Sequence, residues 1–160
     1  ETSGTQAMLA ANQIANGGTN LTMAKIRQSA RILNVSDVEQ EGRYFHYSPQ
    51  GMEKLLADTQ VTSSDFSTIQ ALTFGTFPMD AMWMGFKWRM STVLPISGNI
   101  RSCIAYQKNA VGLAVGLFQD IRVNEAPHKW NNVQVVLKLS AGAVRTDEAG
   151  VVQIDIDESV

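Results

Sequence analysis

Apolar positions recur at helical spacing in the first third of the chain and at strand spacing in most of the rest. Met8, Ala11 and Ile14/Ala15 predict a helix over residues 5–15, TQAMLAANQIA. Asn16-Gly17-Gly18 then breaks it. Thr22 stands where an N-cap belongs, ahead of MAKIRQSARILN, and Met23, Ile26, Ala30 and Leu33 fall on one face of that second helix. Lys25, Arg27 and Arg31 lie elsewhere around it. They have two readings: a solvated face, or a basic surface against an acidic neighbour or nucleic acid.

Residues 36–42, SDVEQEG, form an acidic turn, and RYFHY at 43–47 reads as a short aromatic strand. Ser48-Pro49 is a helix start, with serine as cap and proline in the first turn. Met52, Leu55 and Leu56 give that helix its buried face, and it ends near Asp58. Residues 59–68 are polar and loop-like. In the stretch MDAMWMGFKWRMSTVLP, alternation puts Met82, Met84, Phe86, Trp88 and Met90 on one side, and Trp83, Gly85, Lys87 and Arg89 on the other. One face is wholly apolar, so the stretch reads as one half-buried strand. Two charges and one ring on the far side are too few for a nucleic-acid platform.

RSCIAYQ and AVGLAVGL are strand-like, residues 120–131 (DIRVNEAPHKWN) are expected to be a loop, and VQVVLKLSAGAV alternates again. Val133, Val135, Leu137, Leu139, Ala141 and Ala143 share a face, as do Val152, Ile154 and Ile156 in the last strand. RTDEAG between these two strands reads as a hairpin turn. Helices first and strands after define an α+β fold.

Composition narrows the function. With 160 residues and 44% hydrophobic positions, the chain can bury a sizeable core in one domain or two small lobes. Thirteen basic against fifteen acidic residues, a net charge of −2, exclude wholesale electrostatic binding of nucleic acid. A single cysteine, Cys103, excludes an intrachain disulfide and fits a reducing, intracellular origin. No apolar run approaches the roughly 20 residues that cross a bilayer. The start, Glu1-Thr2-Ser3-Gly4, has neither an initiator methionine nor the features of a signal peptide, and predicts a fragment or a processed chain.

Catalytic and metal-binding patterns are missing. His46 and His128 are far apart in sequence, phosphate-cradling and nucleophile-elbow motifs are absent, and no cofactor is expected. Asp155 and Asp157 share a strand face, but without the glycine and distal glutamate of a calcium loop they read as a solvated strand end. The chain is not expected to be an enzyme. A hydrolase with a carboxylate pair brought together only by folding stays as a distant third reading.

The order of the pieces adds a resemblance. LTMAKIRQSARILN, then RYFHYSPQGMEKLLADTQVTSSDF, LTFGTFPMDAMWMGFKWRMSTVLP, RSCIAYQKNAVGLAVG and SAGAVRTDEAGVVQIDID together resemble the major capsid proteins of tailed bacteriophages with the Hong Kong 97-type fold, most closely a podovirus-like branch. The resemblance runs from about residue 20 to 158. It implies a spine helix at about 22–34 within a peripheral part, residues 1–42. An inserted axial domain would occupy 43–130 and closing peripheral strands 131–160. Such proteins carry an N-terminal arm and an extended loop upstream of the spine helix, both absent from this chain.

The resemblance also implies a structural subunit, self-assembling as pentamers and hexamers of an icosahedral shell around double-stranded DNA. Scaffold, portal and cement proteins would be further partners. Contact with packaged DNA would be weak and non-specific, and no membrane is involved. The expected location is the virion capsid, assembled in the bacterial host cytoplasm. Candidate inter-subunit contacts are Lys25, Arg27, Arg31, Trp83, Lys87, Arg89 and Trp130. The alternative from a different class is a small binding module that uses Trp83, Lys87, Arg89 and Trp130 to hold a sugar or a nucleic acid.

Overall fold

In a computed structural model, residues 8–58, 81–126 and 132–159 are described. The chain divides into two compact units: Glu1–Ala110 with Asp147–Val160, and Val111–Thr146.

The first unit is a sheet with helices packed on it. Its strands are β1 (Gln13–Ile14), β2 (Arg43–Tyr47), β3 (Met82–Trp83), β4 (Phe86–Met90), β5 (Ile96–Ser97), β6 (Ile100–Gln107) and, returning from the second unit, β9 (Val151–Asp157). The order is β1-β9-β6-β2-β4-β3, with β5 paired to β6. Helix α1 (Met23–Val35) packs against β9 and β1. Helix α2 (Pro49–Ala57) starts as its sequence predicts, with Ser48 Oγ accepting from the Gly51 N–H at 3.0 Å and Pro49 in the first turn.

Alternation builds the core. Phe45, Tyr47, Phe86, Trp88, Cys103, Ile154 and Ile156 join Met23, Ile26, Leu33, Met52 and Leu55 in one buried cluster. Phe45 and Trp88 stack across β2 and β4 with ring centroids 4.5 Å apart, and Phe86 meets Phe45 edge-on. Arg43 is buried and closes the far end of α1. Its guanidinium donates to Asn34 Oδ1 at 2.7 Å, to the Glu39 carbonyl at 2.9 Å and to the Val38 carbonyl. Those bonds tie the end of α1 and the turn after it to the start of β2.

Several expectations are corrected. Of the helix over 5–15, the described part is a 3-10 turn at Ala10–Asn12 followed by β1. Parallel pairing of Gln13 and Ile14 with Gln153 and Ile154 overrides local helix preference. The strand through 82–90 is a hairpin, with Met82 opposite Lys87 and Trp83 opposite Phe86. Met84 and Gly85 both take positive φ, +54° and +78°, as a two-residue primed turn requires. Met-Gly is a weak signal for that turn because methionine in this region is strained. Phe86 and Trp88 are buried as expected, but Met82 and Met90 are exposed.

RTDEAG joins no hairpin, because β9 pairs with β6 and the preceding strand pairs elsewhere. It is the crossover back into the sheet. Gly150 there lies so close to Ala110 that an added Cβ would sit 2.5 Å from the Ala110 Cβ. The compact units divide the chain at 110/111 and 146/147, and helix α1 packs on the sheet that contains β2, β4 and β6. The predicted loop at 59–68 lies outside the described residues.

The second unit is a two-stranded antiparallel ribbon of β7 (Val111–Ala126) and β8 (Asn132–Arg145). The loop expected over 120–131 is therefore strand as far as Ala126. Register shifts at Val115/Leu117 and Leu117/Asp120 mark bulges in β7.

Candidate assembly surfaces

The ribbon carries the most telling surface. Directly paired residues of an antiparallel pair share a face. Val133, Val135, Leu137, Leu139, Ala141 and Ala143 alternate onto one face of β8, opposite Leu113, Val115, Ile121 and Val123 of β7. The other face mixes Asp120, Arg122, Asn124, Gln134, Lys138 and Ser140 with Leu117, Val136 and Val144, and Arg122 Nε pairs with Asp120 at 2.9 Å. The sequence pattern is thus that of a strand packed on a core, yet among the described residues these side chains are exposed. Leu113 is 72% exposed, and Val133, Val135, Leu137 and Leu139 are 62–66% exposed. An isolated two-stranded ribbon is marginal in water, and an apolar strip of this length calls for a protein surface on top of it.

The predicted contact residues separate into distinct environments. Lys25 is 6% exposed, so it does not lie on a solvated face of α1. Its Nζ donates to the carbonyls of Asn16 at 2.8 Å, Thr19 at 2.7 Å, Asn20 at 3.1 Å and Asp155 at 3.0 Å. It fastens the turn before α1 to the last strand. Burial pushes its pKa below the usual lysine range, while the Asp155 and Asp157 charges act the other way. Arg27 and Arg31 are exposed on α1, one turn apart. Trp83 is half-buried against Trp88, whose Nε1 donates to the Trp83 carbonyl at 3.0 Å. Trp130 lies outside the described residues.

Lys87 and Arg89 sit on the sheet face opposite Trp88, next to rings that sequence reasoning did not single out. Tyr44 and Tyr106 stack at 5.7 Å, His46 and Tyr106 at 5.6 Å, and Lys87 Nζ lies 5.9 Å from the Tyr44 ring centre. Register accounts for the group: Tyr44 pairs with both Tyr106 and Lys87, and His46 pairs with Arg89. The signal was the alternation of RYFHY, which sends Tyr44 and His46 to the side away from Phe45. Burial, and then the Arg89 charge, lower the His46 pKa. Cys103 is buried, and its thiol is pushed up to about 11 by burial, so it does not act as a nucleophile at neutral pH. Asp155 accepts from Ser102 at 2.7 Å and from Gln153 at 2.9 Å. Among the described residues, no three His, Cys, Asp or Glu side chains gather as metal ligands.

The described residues thus present a sheet-and-helix unit and a two-stranded ribbon with exposed apolar side chains. Residues 2–158 match the family described as phage capsid protein, and the chain belongs to that family. No curated protein sequence matches it. Among solved structures it is similar to a chain of Mycobacterium phage Che8, with a TM-score of 0.70, 16% identity, and 92% of this chain covering 54% of that one. It is also similar to a chain of the holo-SrpI encapsulin complex from Synechococcus elongatus PCC 7942, at 0.65, 11% identity, and 96% covering 56%. A third is the Cyanophage Pam1 capsid asymmetric unit, at 0.64, 13% identity, and 87% covering 47%. These likenesses establish the α+β, Hong Kong 97-type fold expected from the resemblance. The chain spans about half the length of the solved chains it matches.

Proposed function

We propose that this chain is part of a structural, non-enzymatic subunit that assembles in many copies into an icosahedral capsid around double-stranded DNA. The observation that carries the reading is the uncovered apolar face of β7 and β8: it is built to a core pattern and left exposed, as a surface completed by assembly is. Membership of the phage capsid family supports it. In this reading the copies gather as the pentamers and hexamers of that shell. Lys25, Arg27, Arg31, Trp83, Lys87, Arg89 and Trp130 are then the contact candidates, with Lys25 the one that is 6% exposed within this chain. Scaffold, portal and cement proteins are the further partners, and the virion is the site of action. With a net charge of −2, contact with packaged DNA is weak and independent of sequence. The binding-module alternative gains no observation: its Trp83 is packed against Trp88.

The test is sedimentation velocity on the full-length protein, with negative-stain images of the fast fraction. Closed shells of uniform diameter are expected. Val135→Asp/Leu137→Asp is expected to leave the sheet unit folded and to abolish shells. A wild-type protein that stays monomeric under all conditions, with and without scaffold, refutes the reading.

A further inference from the structure

We infer that Asn16 is a site of self-modification, where the backbone nitrogen of Gly17 displaces the side-chain amide and water then opens the resulting ring to leave isoaspartate. Asn16-Gly17-Gly18-Thr19 is a turn between β1 and α1. Gly17 and Gly18 both take positive φ, +56° and +64°, and the Thr19 N–H closes the turn on the Asn16 carbonyl at 3.0 Å. Both glycines are exposed, and a Cβ added at either would meet nothing within 4 Å. Among the described residues, neither the Gly17 N–H nor the Asn16 side-chain amide has a hydrogen-bond partner. Glycine also puts no β-carbon beside the attacking nitrogen.

The Asn16 carbonyl is held instead. It accepts from the Thr19 N–H at 3.0 Å, from Thr19 Oγ1 at 3.0 Å and from Lys25 Nζ at 2.8 Å. The last donor is an ammonium, and bonds from charged donors are the stronger kind. Donors on a carbonyl oxygen draw electrons from the amide nitrogen conjugated with it. That nitrogen is Gly17 N, so its proton is easier to remove.

In the first step Gly17 N bonds to Asn16 Cγ and the Cγ–Nδ2 bond breaks. The amide leaves as ammonia, with the proton that Gly17 N gives up. The product is a succinimide ring with two carbonyls, and in the second step water adds to one of them. The backbone carbonyl already faces three donors, which stabilise the oxyanion that water creates there. Its bond to Gly17 N breaks, the nitrogen takes a proton from the water, and the main chain now runs through Cβ and Cγ. The former carbonyl carbon keeps its oxygen and becomes a free α-carboxylate. One water enters and one ammonia leaves. The oxygen that Lys25 holds is thus a carboxylate oxygen in the product, while the carbonyls of Thr19, Asn20 and Asp155 stay neutral. A buried ammonium gains a counter-charge in a position it already binds.

The experiment incubates the folded full-length protein in warm neutral buffer, beside a free peptide of residues 12–20 and the same protein held unfolded in guanidinium. Digestion and mass spectrometry read the amide-to-acid change at residue 16, and an isoaspartate-specific methyltransferase counts the isoaspartate. Asn16→Gln supplies the background. The folded protein is expected to convert at residue 16, with an isoaspartate-to-aspartate ratio at least about threefold that of the peptide and of the unfolded protein. Lys25→Met, its fold checked by the resistance of Cys103 to thiol reagents, is expected to lower that ratio. A folded protein that stays unconverted while the peptide converts overturns the inference. So does conversion at the peptide's ratio, or a folded Lys25→Met protein with the wild-type ratio. The chemistry needs no shell, so these results leave the capsid reading untouched.

Discussion

Replacing Lys25 by methionine tests the interior of the fold most directly. Methionine keeps the apolar stem and removes only the ammonium group. Four carbonyls lie 2.7–3.1 Å from Nζ, and an ammonium has three protons, so at most three strong bonds form at once. Hydrogen bonds to a charged group contribute about 1.5–3 kcal/mol each when removed singly, and they do not add within one cluster. Against this stands the cost of burying the charge, which is large enough to push the pKa of Lys25 down. The variant is relieved of that cost, but it leaves the carbonyls of Asn16, Thr19, Asn20 and Asp155 short of a donor. The balance is a loss of about 2–4 kcal/mol, a large share of the roughly 5–15 kcal/mol that holds a typical domain together. Urea unfolding followed by tryptophan fluorescence measures it, and amide exchange at residues 16–20 should quicken. Arg27→Met, on the same helix but exposed, is the control and should change stability by less than about 0.5 kcal/mol. If Lys25→Met and Arg27→Met cost the same, the cage is not the anchor described here.

Three further outcomes are expected. His46 has a folded pKa below the ordinary 6.5, so its contribution to stability is complete above pH 6.5 and is lost as pH falls through the folded value; urea midpoints across pH 4.5–7.5 should show this acid slope, and His46→Gln should flatten it. Cys103, buried with its thiol raised to about 11, should resist a disulfide reagent at pH 8 in the native protein and release one thiol equivalent in denaturant; rapid native labelling would contradict its place in the core. Trp88→Ala removes a ring that is 1% exposed, stacked on Phe45 and bonded to the Trp83 carbonyl, and should cost about 3–5 kcal/mol by the same urea titration.

The candidate surfaces were only partly legible. Arg27 and Arg31 are exposed as charges on a helix usually are, but Lys25, read in the same way, is interior. Nothing in MAKIRQ separates them, because the carbonyls that hold Lys25 come from the turn at 16–20 and from β9, about 130 residues away. The ring group of Tyr44, His46 and Tyr106 forms only once β2 and β6 pair in one register.

By itself the sequence determined the elements whose signals are local and mutually consistent: α1 from its apolar spacing, α2 from Ser48-Pro49, β2, β6 and β9 from alternation, and the α+β class from their order. It also determined which residues of β8 share a face. Tertiary structure decided what those faces meet. Alternation records that Val133, Val135, Leu137 and Leu139 point one way, but the same pattern serves a strand on its own core and a strand kept for an assembly partner. Pairing of β8 with β7, and of β9 with β6, separated the ribbon from the sheet. Pairing with β9 likewise turned Gln13–Ile14 from helix to strand. For β9 with β6 and with β1 the deciding hydrogen bonds join residues far apart in the chain, and their free energy outweighs the small local preferences on which a reading of sequence depends.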